Sequence, residues 1–246
     1  MRVAWPNLVA ALAFAIGYWA YVKRIEQRNV AELGGSAALA EWTRGAALGA
    51  LLGLLTLGPL VGLSVYRIEG VGDGFPLLAQ FPEMVLVSVF EELLVRGVIF
   101  RIAERAWGSR RALVISTVFF VVAHLPGQIN LLGMLVTAAA SLAFTAAYQL
   151  SGRLWLPIGM HFAWNYLFSV VFSVPVTGHA ANGWIHGTMN GPEWLSGGGY
   201  GVEASAMALV VWAAAATLLL HRAYARGKFV KRLQREPRRV PPPAGT

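Results

Sequence analysis

The 246-residue chain contains no cysteine. That absence excludes disulfides, thiolate metal ligands and cysteine nucleophiles together, so any chemistry must use oxygen and nitrogen groups. Charge is scarce as well. Asp, Glu, Lys and Arg make up 13% of the residues, about half the usual share of a soluble domain. In their place stand 57% hydrophobic residues and nine Trp, with a mean hydropathy of +0.57. An ordinary soluble domain is excluded, and a polytopic membrane protein is expected. No internal repeat and no separate soluble domain is evident.

Apolar runs suited to crossing a hydrocarbon core of about 30 Å, which takes about 20 helical residues, lie at Leu8–Val22, Gly45–Tyr66, Glu83–Ala103, Ala112–Leu125, Ile129–Leu150, Leu154–Val174 and Glu203–Leu220. The sequence therefore predicts an all-α fold, a polytopic transmembrane bundle of about seven membrane-spanning helices. Residues 1–226 form one domain with its motif core at 83–170, and residues 227–246 form a basic, Pro-rich cytoplasmic tail. The first run lacks a small-residue cleavage site and is followed by Lys23 and Arg24, so it reads as a retained anchor. The linker Arg67–Phe81 reads as a turn-rich loop. Pro175–Gly201, without one basic residue, reads as an outer-side loop that partly re-enters the interface.

All but three of the 20 Lys and Arg residues fall in alternate connections that share one side. Arg2 and Arg67 fall on the other side, and Arg96 lies inside a span. This positive-inside asymmetry places the N-terminus outside and the C-terminus in the cytoplasm, with the plasma membrane as the expected location. The net charge of +8 then reflects topology and contact with anionic membrane lipid. No nucleic-acid partner is called for.

Ionisable groups within spans are costly and mark pathways or reactive sites. Of the acidic residues only Glu91 and Glu92 lie well inside a run, and of the five histidines only His124 and His161 do. On an α-helix Glu92 and Arg96 are i and i+4, about 40° apart, and can pair. Glu91 lies about 100° further round and is left to face another helix. Phe120 with His124, and His161 with Asn165, share the same spacing. Three helices can thus converge an acid, two imidazoles and an amide on one point. A Glu with a His can deprotonate water, and a His with an Asn can donate to a developing oxyanion. The same groups could instead serve a catalytically silent scaffold or immunity-type binding protein, or a proton- or ion-coupled transporter. For the transporter, inverted repeats and a second charged half are missing.

Glu91-Glu92-x-x-x-Arg96, Phe120-x-x-x-His124 and His161-x-x-x-Asn165, in that order on three hydrophobic helices, resemble the three-motif signature of the CPBP family. These are the type II CAAX prenyl proteases and bacteriocin-processing intramembrane proteases, also called abortive-infection-like proteins. The likeness covers Met84 to Phe168, and Val95 departs from it where many members carry an aromatic residue. It implies an intramembrane endopeptidase acting on a membrane-associated peptide or protein substrate, CAAX-like or prenylated. In it Glu91 and His124 activate water, His161 and Asn165 stabilise the tetrahedral intermediate, and Glu92, Arg96 and Phe120 give structural support. The family is commonly described as metalloproteases, and Glu91, His124 and His161 would fit a three-ligand zinc site. HExxH is absent, and a metal-free glutamate mechanism is equally compatible.

Overall fold

The computed structural model describes residues 3–127 and 129–231. Most of the expected tail, residues 232–246 with Arg238 and Arg239, lies outside the described residues, as does Arg2. Every apolar run becomes helix. Helix α1 (Trp5–Arg24) opens with Pro6 in its first turn, where the missing N–H costs nothing. Helix α2 (Ala38–Gly62) stops short of the expected Tyr66 because Ser64 adopts a left-handed φ of 58° and turns the chain. After β1 (Tyr66–Val71) and the short α3 (Phe75–Ala79), α4 (Phe81–Glu92) runs directly into a π-helical stretch, Leu93–Phe100, and then into α5 (Arg101–Trp107). Helices α6 (Ser109–His124) and α7 (Leu131–Ser151) follow. Helix α8 (Trp155–Asn165) continues as a second π-helical stretch, Tyr166–Val171. Then come β2 (Ile185–Met189), the one-turn α9 (Glu193–Ser196) and α10 (Ala206–Ala225).

Among the described residues five helices are long and apolar enough to cross a membrane: α1, α2, α6 with its following turn, α7 and α10. The two that carry the carboxylates and the His161–Asn165 pair are not among them. One is loaded with Glu91, Glu92 and Arg96, and both change from α to π geometry part-way. The first change falls inside a motif, between Glu92 and Arg96, and the second immediately after Asn165. π-Helical turns concentrate at functional sites because the extra residue re-aims the side chains around it.

The fold is mostly helical but not purely so. Residues 67–81, read as a loop, contain β1 and α3, and the 175–201 segment contributes β2. The strands pair antiparallel, Tyr66 opposite Met189 and Val71 opposite Ile185, with an irregularity between Ile68 and Gly70. The ribbon forms because Gly187 leaves room for the Tyr66 ring, which a Cβ there would meet at 2.5 Å. The Tyr66 hydroxyl then donates to the Phe172 carbonyl at 2.7 Å.

Close packing fixes α8. A Cβ on Gly45 or Gly49 would stand 2.1 or 2.2 Å from the carbonyls of Leu156 and Met160, and one on Gly159 would stand 2.1 Å from that of Trp42. Small residues four apart let helix backbones touch within a membrane, where apolar burial alone gives no preference for a neighbour. On its other side α8 meets α7 and α10 through Phe144, Trp164 and Trp212.

At the basic end of α1, the 25–37 connection is tied down by charge. Glu26 pairs with Arg28 and Arg101, and Glu32 with Arg28. Tyr18 donates to Glu32 and to the Gly97 carbonyl. Burial pushes both carboxyl groups up, but the hydrogen bonds from Arg101 and Arg28 to Glu26, and from Arg28 and Tyr18 to Glu32, outweigh it and hold them below the usual carboxylate range.

Candidate active site

The last turn of α4 delivers the adjacent carboxylates. Glu92 is fully buried, as is Arg96 one turn on, and Arg96 Nη1 donates to Glu92 Oε1 at 2.9 Å. The guanidinium is satisfied further by α7, where Nη2 donates to the Ser141 carbonyl and hydroxyl at 3.0 Å. It also lies 4.8 Å from the centroid of the Phe120 ring and 5.3 Å from that of Phe144. Arg96 therefore welds the motif helix to α7 as well as holding Glu92.

Glu92 has a second partner that spacing could not reveal. Its Oε1 accepts from His161 Nδ1 at 3.0 Å, so Nδ1 carries the proton and Nε2 is the working nitrogen. The His161 ring is stacked on Phe144 at 5.0 Å and 17°. His161 Nε2 stands 3.8 Å from Glu91 Oε2, beyond hydrogen-bond reach. Glu91 Oε2 is buried without a partner among the described residues. Such an atom forfeits its hydration, which a structure tolerates where a reacting group is meant to sit.

His124 ends α6. Its Nδ1 lies 2.7 Å from the carbonyl of Phe120, which can only accept, so Nδ1 carries the proton and Nε2 is left free. Glu91, His124, His161 and Asn165 line one cavity of about 50 Å³. A water site needs roughly 10–15 Å³ of such volume, so the cavity has room for a hydrolytic water beside a reacting carbonyl. From helix length alone, His124 and His161 are expected at depths about 10 Å apart. Both nevertheless line one cavity, and α8 starts in an enclosed position. Leu154 is fully buried and donates through its N–H to the Glu32 carbonyl, and Pro157 in the first turn is buried too.

Among the described residues no three His, Asp or Glu side chains are grouped to hold a metal ion. Of the expected zinc set, His161 has committed Nδ1 to Glu92 and keeps Nε2 free, 3.8 Å from Glu91 Oε2, and ligating histidines usually donate their other ring N–H to a carboxylate in this way.

Three of the cavity residues outside the motifs carry a hydroxyl or a carboxylate. Thr137 comes from α7, Thr177 and Glu203 from the 175–205 segment. Glu203 accepts from Trp164 Nε1 and from the Thr177 N–H, each at 2.8 Å, and from the Thr177 hydroxyl at 3.1 Å. It fastens this segment over the cavity beside Asn165. A carboxylate just before an apolar run was visible in the sequence, but its destination was not. Ser141 and Thr145, hydroxyls four apart on apolar α7, were a readable sign that something polar lay opposite.

Residues 74–167 match the family model described as type II CAAX prenyl endopeptidase Rce1-like, a segment that takes in all three motifs. No curated protein matches the chain, and no solved structure does.

Proposed function

We propose, for a chain whose residues 74–167 match the Rce1-like family model, that it is an intramembrane endopeptidase. It hydrolyses a peptide bond of a membrane-associated substrate, a CAAX-like or prenylated protein or a peptide. The observation that carries this reading is the shared cavity. A buried, unpartnered Glu91 oxygen, a His124 with Nε2 free and the His161–Asn165 pair all face it.

In this reading Glu91, with His124, takes a proton from water as the water oxygen attacks the scissile carbonyl carbon. His161 and Asn165 donate to the resulting oxyanion. Because Nδ1–H is committed to Glu92, His161 can donate from Nε2 only as the imidazolium. That form also balances the buried charges, with Glu91 and Glu92 against Arg96 and His161. When the intermediate collapses, the C–N bond breaks and the proton held by the Glu91–His124 pair passes to the leaving amine. Glu92 is a positioning residue acting through His161, Arg96 fixes Glu92, and Phe120 packs against both rings.

The helices from Phe81 to Trp107 and from Trp155 to Val171 lie within the membrane in this proposal, which makes seven spans of one domain. The N-terminus is outside and the tail is in the cytoplasm, at the plasma membrane.

Glu91→Gln keeps size and hydrogen bonding but removes the base. Purified protein in liposomes, given a farnesylated CAAX peptide, should lose roughly 10²- to 10⁴-fold in turnover with peptide still bound. Full turnover by Glu91→Gln would remove the assignment.

A further inference from the structure

Outside the cavity, a second hollow runs along the opposite flank of the motif helix. It is a groove of about 480 Å³ between α1 and the α4–π stretch, walled by Phe14, Gly17 and Tyr21 on one side and by Phe90, Leu94 and Val98 on the other. Its size is that of a small-molecule site, typically 300–1,000 Å³. We infer that this groove is a binding site for one anionic phospholipid, an acyl chain lying in the slot and the headgroup held at its basic end.

The two ends differ in kind. One is closed by the Phe14 and Phe90 rings, 4.7 Å apart. The other runs toward Arg24, one turn beyond Tyr21, and Arg105, two turns beyond Val98. Arg24 is exposed and makes no ion pair among the described residues. Arg105 is 61% exposed and among the described residues reaches only Glu26, at 3.7 Å, a carboxylate already shared by Arg28 and Arg101. From Phe14 to Arg24 the helix advances roughly 15 Å, enough for much of an acyl chain. Trp107, 47% exposed and two residues from Arg105, sits as tryptophans do at headgroup level. Basic clusters at the mouths of grooves between membrane helices select anionic headgroups. A neutral lipid would fill the slot and leave both arginines unused, and an isoprenoid chain without an anionic head would do the same.

Gly17 makes the slot and provides the test. A Cβ there would meet nothing within 4 Å, so a larger side chain fills the groove without pushing on the fold.

The full chain in detergent is offered an equal mixture of phosphatidylglycerol and phosphatidylcholine with identical acyl chains, and bound lipid is counted by native mass spectrometry. The wild type should retain one phosphatidylglycerol in preference by on the order of tenfold or more. Gly17→Leu should retain neither lipid. Arg24→Gln with Arg105→Gln should keep a lipid but lose the preference. Equal retention of the two lipids by the wild type, an unchanged preference in the double arginine variant, or displacement of phosphatidylglycerol by an equal amount of farnesol would overturn the proposal. Because the readout is bound lipid, the result stands apart from whether the chain cleaves peptides.

Discussion

At the scale of single residues, Glu92 is the unexpected centre of the site. One of its oxygens serves Arg96 and His161 together, so its loss should disturb both. Removing one member of a buried pair commonly costs about 3–5 kcal/mol, because the other is stranded. Arg96→Ala should therefore lower folded yield as well as activity, measured by size-exclusion profile and thermal unfolding in detergent. Glu92→Gln with Arg96→Met should recover much of the yield but not the activity, since His161 would lose its anionic partner. A normally stable Arg96→Ala would refute the clamp. For the proposed catalytic groups, His124→Ala should match Glu91→Gln in severity, and the double variant should be little worse, because residues acting as one unit are not additive. His161→Ala and Asn165→Ala should each lose on the order of 10²- to 10³-fold, the scale of an oxyanion donor. Single-turnover kinetics with bound peptide separates these losses from weaker binding.

Among the elements, α8 depends on glycine. Gly49→Leu would drive its side chain into the backbone of Met160, forcing α2 off α8 and carrying His161 and Asn165 out of register. Loss of both folded yield and activity is expected, whereas Gly58→Ala, with open space at its Cβ, should be neutral by the same thermal assay. The 25–37 connection is held by carboxyl groups whose pKa values are lowered on folding. For such groups the stabilisation is complete above the unfolded-state value of about 4.3 and is lost as pH falls through the lower folded-state values. Thermal unfolding should accordingly be flat from neutral pH down to about 5 and then fall in acid. Glu26→Gln should be less stable at neutral pH and show a shallower acid limb; an identical limb would exclude Glu26 as a contributor.

For the whole molecule, the charge asymmetry makes a topological statement that reporters can test. A fusion after Arg239 should read cytoplasmic and one within residues 182–199 external. Finding both on the same side would remove the odd number of spans between them. The proposed seven crossings add to the five helices that qualify alone the carboxylate helix and the His161–Asn165 helix, and they require the charged one to be shielded. Burial of Glu92 and Arg96 against α7 would supply that shield.

What the sequence determined by itself is whatever has the range of a helical turn or of a bilayer's thickness. The apolar runs became helices because their length and composition leave the backbone no other way to satisfy its hydrogen bonds in hydrocarbon. The i,i+4 pairs landed on common faces because helix geometry is local, and Glu92 met Arg96 for that reason. Tertiary structure alone decided which faces meet. The link from Glu92 to His161, the pairing of Tyr66 with Met189 and the arrival of Glu203 over the cavity each join residues dozens of positions apart. Apolar surface is equally content against lipid or protein, so helix partners in a membrane are chosen by close approach at Gly45, Gly49 and Gly159 and by the need of buried polar groups for one another. Neither has a period along the chain, which is why the site's chemistry was legible in the sequence and its wiring was not.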